Sequence, residues 1–484
     1  MSYYGYVTTL KNVRPHNNAD RMKLADCFGN TVCVGLSAYE GEVVLYFPVD
    51  GQLSEEYCAY NNLVRKKDDA GNNIGGYLDP DKRNIKAIKL RGEKSDGITM
   101  PLSSLAYCYD EVQKPDATVV NLSVGDRIDV VNGHEICKKY IPRTNRRSGN
   151  PTEGNRTRKK KAPIAPTFSE HADTEQLAYN LGAFREGDEV EITLKMHGTS
   201  QRTGYLPVLK GWRNTHSFWD KILLCVNPNK PMGKLTEKLY NRALRDAIPI
   251  YDWGYVSGTR RTVLENYEGG YYGSNEFREQ HSKAFEGRLW KGETVYYEVV
   301  GFTTSGAPIM NSCSNKKTKD EEFIKKYGDE TVFSYGCSPD GYTDTNYVVG
   351  GEPQSALYVY RMTMTNEDGD VVEYTPDFMR YRCEQMGIET VPVVWRGRIP
   401  EHPGTANDPT ITPGEWITKV AEQYYDGPDP IGETHVREGV VVRILNRPKF
   451  CAYKHKNWYF KVLEGIIKDT ADAPDMEEAQ EVDA

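Results

Sequence analysis

The chain has 484 residues, 61 Lys+Arg against 69 Asp+Glu, and is 38% hydrophobic and 11% aromatic. That is too apolar for wholesale disorder and long enough for two to four domains of about 100–200 residues each. No apolar run approaches the roughly 18 residues of a membrane helix, and Met1-Ser-Tyr-Tyr-Gly does not open a basic-then-apolar leader.

The net charge of −8 argues at first against a nucleic-acid partner, but its distribution is uneven. Seven acids and no base lie between 469 and 484, and ten bases lie between 138 and 161 against Glu153 alone. The body is near neutral, with one basic segment and one acidic tail. Ten cysteines form no Cys-x-x-Cys pair, and no histidine cluster has zinc spacing. These features predict reduced thiols, no structural zinc and a cytoplasmic setting.

Residues 1–135 alternate short apolar runs with turns. Strands are predicted at Thr31-Val-Cys-Val-Gly, Glu42-Val-Val-Leu-Tyr-Phe-Pro-Val-Asp, Ile85-Lys-Ala-Ile-Lys-Leu and Asp126-Arg-Ile-Asp-Val-Val. Several short strands without regular helices predict a small β-barrel. Residues 136–165 form a basic linker, as consistent with a solvated arm as with nucleic-acid contact. From 166 to 467 the pattern becomes mixed. A short helix is predicted over 174–181. Strands are predicted at Glu189-Val-Glu-Ile-Thr-Leu-Lys, Val295-Tyr-Tyr-Glu-Val-Val, Leu357-Tyr-Val-Tyr-Arg-Met and Gly439-Val-Val-Val-Arg-Ile. Residues 303–354, rich in Gly, Ser, Asp and Lys, suggest an insertion or long surface excursion. Residues 468–484 form the acidic tail.

Lys195-Met-His197-Gly198-Thr-Ser follows directly on a predicted strand. A lysine there, before a glycine that lets backbone approach a ligand, suits a nucleophile once its environment lowers its pKa. Such turns are common, and alone this one means little. Further along come the paired guanidiniums Arg260 and Arg261, suited to phosphate. Glu298 sits in an otherwise apolar strand, where a carboxylate needs a polar partner. Tyr358 and Tyr360 share a strand face. Glu438 stands at the mouth of the next apolar strand, and Lys454 and Lys456 alternate onto one face of another.

In this order the set resembles the covalent nucleotidyltransferases, the superfamily of ATP-dependent ligases and capping enzymes. Lys195-Met-His-Gly resembles motif I, Glu298 motif III, Tyr360 motif IIIa, Glu438-Gly-Val-Val-Val-Arg motif IV and Lys454-His-Lys456 motif V, with Lys461 a further basic candidate. Val13-Arg-Pro-His-Asn-Asn-Ala-Asp-Arg-Met and Leu90-Arg-Gly-Glu-Lys-Ser-Asp-Gly-Ile-Thr-Met-Pro-Leu resemble the OB domain of the Deinococcus/Naegleria-type, or fifth, RNA ligase family, in which that domain precedes the transferase. Phe168-Ser-Glu-His-Ala-Asp-Thr-Glu-Gln resembles its adenosine-side segment. His197 stands where many ligases have Asp, and Ser200 where DNA ligases have Arg.

The resemblance implies an α+β fold, with an OB-like N-terminal barrel before a ligase-type domain of antiparallel sheets flanked by helices. It implies an ATP-dependent RNA ligase that joins 3′-OH to 5′-phosphate ends at duplex nicks, with ATP and Mg²⁺ or Mn²⁺ as cofactors. Lys195 would carry AMP, and Lys454 and Lys456 would hold the α-phosphate. Arg260 or Arg261 would take the phosphate or ribose side, and Tyr360 would stack on adenine. Glu298 would accept from the ribose hydroxyls, and Glu438 with Glu298 would hold the metal through water. Glu175 and Gln176 would read the purine edge, beside His197 and Gly198 on the lysine turn. A nucleic-acid partner, no membrane, no obligate protein partner and a monomer complete the expectation. The alternatives are a DNA ligase or capping enzyme, which domain order opposes, and a non-catalytic OB-fold RNA-binding protein.

Overall fold

Glu189–Lys195 alternates apolar and polar residues, and its pleat separates them. Val190, Ile192 and Leu194 point into apolar core, while Glu191, Thr193 and Lys195 line the opposite, ligand-sized cleft. The computed structural model behind this description covers residues 3–67, 73–109, 121–140, 162–172, 174–213, 233–245, 248–265, 275–310, 321–328, 330–342, 351–404 and 410–469, with a few short pieces between. Most of the basic segment, nearly all of the acidic tail and parts of 303–354 lie outside the described residues.

The C-terminal part is built on two sheets. One has five strands in the order Glu175–Gln176, Ala452–Lys456, Gly439–Ile444, Glu189–Lys195, Val393–Arg398. Its first pairing is parallel and the rest are antiparallel. Its core face carries Val190, Ile192, Val440, Val442 and Ile444 against Ile417 and Ala421 of the helix Pro413–Glu422. Burying each larger aliphatic side chain contributes about 1.5–3 kcal/mol. A capping box between Thr412 and Glu415 starts that helix.

The other sheet is antiparallel, with six strands in the order Val263–Leu264, Ile248–Gly258, Thr199–Arg213, Glu293–Gly301, Ser355–Thr365, Val371–Glu373. The helix Pro376–Met386 packs Met379, Cys383 and Met386 into the same core as Val295, Tyr297 and Val299. It also brings Arg382 onto Glu293, with Nε and Nη2 each 2.8 Å from a carboxylate oxygen.

The N-terminal strands Ile98–Pro101, Val43–Phe47, Gly5–Thr9 and Arg127–Ile128 form one antiparallel sheet, and Lys11–Pro15, Lys23–Cys27 and Asn30–Val34 a second. Among the described residues no ring of strands closes into a barrel.

Two expectations change. Residues 174–181 do not form an α-helix. Glu175 and Gln176 pair with Tyr453 and Lys454 at the sheet edge, and short 3₁₀ turns follow. Tyr179 then stacks on Tyr6, with centroids 4.3 Å apart. Edge pairing and this aromatic contact override a weak local helical preference. Residues 303–354 also do more than cross the surface, since Phe323, Phe333 and Tyr335 are buried with Leu194, Met196 and Trp458. The described cysteines are free thiols. Among the described residues no helix is long and apolar enough to cross a membrane.

Candidate active site

The cleft lies where the two sheets face each other. Pairing of Lys195 with Gly439, and of Gly439 with Lys456, puts the turn after Lys195 beside Glu438 and Lys456. Lys195 Nζ lies 2.7 Å from Glu438 Oε1, and Lys456 Nζ lies 3.8 Å from the same oxygen. His197 Nδ1 is 3.7 Å from Glu438 Oε2. Burial alone pushes the Glu438 carboxyl up, but Lys195, His197 and Lys456 together outweigh it and hold its pKa below the ordinary value. A buried carboxylate thus gathers three cationic or polar groups around one lysine amine.

Two glycines allow this approach. Gly439 has φ +145°, and a Cβ there would overlap the His455 carbonyl of the adjacent strand. At Gly198 a Cβ would overlap the Val299 carbonyl. Gly439→Ala therefore costs at least about 1–3 kcal/mol of backbone strain, with strand separation added, and lowers the thermal unfolding midpoint. An unchanged midpoint would contradict this packing.

Glu298, Ser200 and Tyr360 line the facing sheet, with Arg260 beside them, around a cavity of about 100 Å³. The Tyr360 hydroxyl is 2.8 Å from Ser200 Oγ, which fixes the ring. Burial, with Glu298 nearby, keeps that phenol protonated. His171 lies 5.0 Å from the Tyr360 ring and 5.6 Å from Phe450, so the wall is more aromatic than Tyr360 alone suggests. At the far end Arg380 forks onto Glu191 at 3.1 and 2.8 Å, and Arg443 reaches Glu373 at 3.3 Å.

The remaining candidates separate. Arg260 lines the cleft, whereas the carbonyl of Arg261 accepts from Arg202 Nη2 at 3.2 Å. Arg202 is itself 1% exposed and also donates to the Thr259 and Phe168 carbonyls, so it ties down the turn that presents Arg260. Glu175, Gln176, Lys454 and Lys461 line a different cavity of about 280 Å³, between the N-terminal sheets and the edge strand. Lys456 lines that cavity too, and so joins it to Glu438. Lys461 lies on the helix Trp458–Asp469 and pairs with Asp96 of the N-terminal part. Tyr335, unmarked by any motif, accepts the His197 backbone N–H at 2.6 Å and supports the lysine turn from beneath.

Among the described residues no three His, Cys, Asp or Glu side chains form a metal cage. Glu438, already held by Lys195, suits a hydrated ion completed by phosphate oxygens, which is how Mg²⁺ is ordinarily bound.

No family model matches the chain, and no curated protein matches it. It is similar to solved structures of Naegleria gruberi RNA ligase. One, a mutant with ATP and Mn, has a TM-score of 0.48 at 13% identity, covering 96% of this chain and 98% of that one. Another, with pyrophosphate, has a TM-score of 0.47 at 14% identity, covering 94% and 97%. A further mutant with ATP and Mn has a TM-score of 0.49 at 14% identity, covering 95% and 98%. What the cleft can do follows from its own residues.

Proposed function

We propose that this protein is an ATP-dependent RNA ligase that seals 3′-OH and 5′-phosphate ends at duplex nicks. The observation that carries the proposal is the Lys195 amine, 2.7 Å from a buried carboxylate, with Lys456 beside it at the mouth of an aromatic cleft. Lysine needs such an environment to act as a nucleophile, and phosphoryl transfer needs mainly positioning and charge neutralisation.

Lys195 Nζ attacks the α-phosphorus of ATP. The N–P bond forms, the bond to pyrophosphate breaks, and the amine gives up a proton. A 5′-phosphate oxygen of RNA then displaces Lys195, which regains its amine, and AMP is now joined to the RNA end. The 3′-OH attacks that phosphorus and AMP leaves.

Glu438 orients Lys195 and would hold a hydrated divalent cation with Glu298. Such a cation, when bound, neutralises phosphate charge. Lys454 and Lys456 would hold the α-phosphate as point charges, Arg260 would take the phosphate or ribose side, and Tyr360 with His171 would flank adenine. Residues 1–135 would be the OB-like RNA-binding module, and residues 136–165 a basic grip on the duplex. The protein would act as a cytoplasmic monomer in RNA repair.

Labelled ATP tests the reaction. The protein should retain label from the α-phosphate and none from the γ-phosphate, through a bond labile to acid. Sealing of nicked duplexes, with RNA or DNA varied separately on each side, should require RNA. Retained γ-label would point to a kinase-like transfer, and salt-sensitive RNA binding without any α-label to a non-catalytic binder.

A further inference from the structure

On the outer edge of the Ser355–Thr365 strand lies a cavity of about 310 Å³ that the proposed ligation does not use. Its size suits one small molecule, since such pockets run from about 300 to 1,000 Å³. Its walls come from residues 355–358, the turn at 386–389, Tyr342, and His281 on the helix Glu276–Lys283.

His281 is 4% exposed, and its Nε2 lies 2.8 Å from Ser355 Oγ. Its Nδ1 has no hydrogen-bond partner among the described residues. Burial, helped by nearby Arg278, pushes its pKa down to about 4, so the ring is neutral. An unsatisfied buried group of this kind costs about 1–3 kcal/mol and calls for a cause.

The strand edge supplies more. Val359 donates its N–H to the Glu389 carbonyl at 3.0 Å and accepts from Val391 N at 2.9 Å, so its main chain faces outward. Opposite Ser355, Gly301 turns its carbonyl away to Ile309 N at 2.8 Å. Antiparallel alternation between these points turns the N–H and C=O of Leu357 outward as well. The cavity therefore offers a donor and an acceptor side by side, a second polar point at His281, and the rings of Tyr342 and Tyr358. Strand addition by a peptide would need a longer open ladder, and Val359 is already taken. A planar heterocycle with a donor and an acceptor on one edge matches what is left, stacked against an aromatic wall. Arg288 also lines the cavity and gives a positive charge for an attached phosphate.

We propose that this cavity binds a nucleobase, read by the Leu357 main chain and by His281, either as a free nucleotide or as an unpaired residue of a nucleic-acid strand.

The test uses the full chain with saturating ATP, so that the Lys195 cleft is filled. Probes are the four nucleosides, their 5′-monophosphates, and an RNA strand carrying one unpaired nucleotide. At least one probe should bind, and Ala284→Leu, which fills the cavity without removing a side-chain hydrogen bond, should weaken it at least about tenfold. His281→Phe should do the same, and both variants should keep normal α-label transfer to the protein. Loss confined to the nucleosides and monophosphates identifies a free ligand, and loss confined to the strand identifies an unpaired residue; both support the site. No ATP-resistant binding by any probe, or binding unchanged in Ala284→Leu, overturns it. Failure of α-labelling in the unmodified protein would remove the ligase proposal and leave this measurement standing.

Discussion

Lys195→Ala should abolish covalent capture of AMP, by at least about a thousandfold, because no other lysine amine is held 2.7 Å from a buried carboxylate among the described residues. α-Labelled ATP and gel autoradiography measure this directly, and label surviving in the variant would sink the assignment. The same substitution should also move stability with pH. The folded-state pKa of Glu438 is depressed, so its contribution is complete above the unfolded value of about 4.5 and fades as pH falls through the lower folded value. Lys195 is the strongest of the groups that depress it, and without that ammonium the opposing effect of burial gains. Acid unfolding of Lys195→Ala should therefore begin at a higher pH than in the unmodified protein. Glu438→Gln should lack that shift, since it has nothing left to titrate.

Arg382→Ala should destabilise the fold by about 3–5 kcal/mol, the usual cost of stranding one member of a buried ion pair. Glu293 is fully buried and the Arg382 side chain is 3% exposed. Tyr374 Oη and the Trp290 backbone N–H also donate to the same carboxylate, so its charge is satisfied only when all its partners are present. Replacing both members with apolar residues of similar size, Glu293→Leu with Arg382→Met, should recover part of the loss. Urea unfolding gives the numbers. Equal losses in the single and double variants would show that packing, not the stranded charge, sets the cost.

The strands that carry the cleft were legible because their alternation is strict. Glu189–Lys195 and Gly439–Ile444 each put apolar side chains on one face. Lys195, Glu438 and Lys456 could be ordered along the chain, and strand pairing brings them together. What stayed hidden depends on contacts without local pattern. Residues 174–181 have apolar spacing compatible with a helix, but the partner that makes Glu175–Gln176 a strand lies at Tyr453 and Lys454. Tyr335 looks like any tyrosine in a polar stretch, yet its hydroxyl meets the His197 backbone. Arg202 was visible only as a displaced arginine, and its work is to hold carbonyls in two other segments. His171 lay within a segment already singled out, but its contacts with Tyr360 and Phe450 come from three separate elements.

The pairing of Lys195 with Gly439 also has a meaning in time. A polypeptide leaving the ribosome displays the lysine long before it displays Glu438, Lys454 or Lys456. Until those last strands emerge, the lysine lacks both its carboxylate and its neighbouring cations. A nascent or prematurely terminated chain therefore holds an inert amine, and reactivity switches on only when translation has passed the Ala452–Lys456 strand. Competence is thereby tied to near-complete synthesis, which keeps unfinished copies from consuming nucleotide or trapping RNA ends.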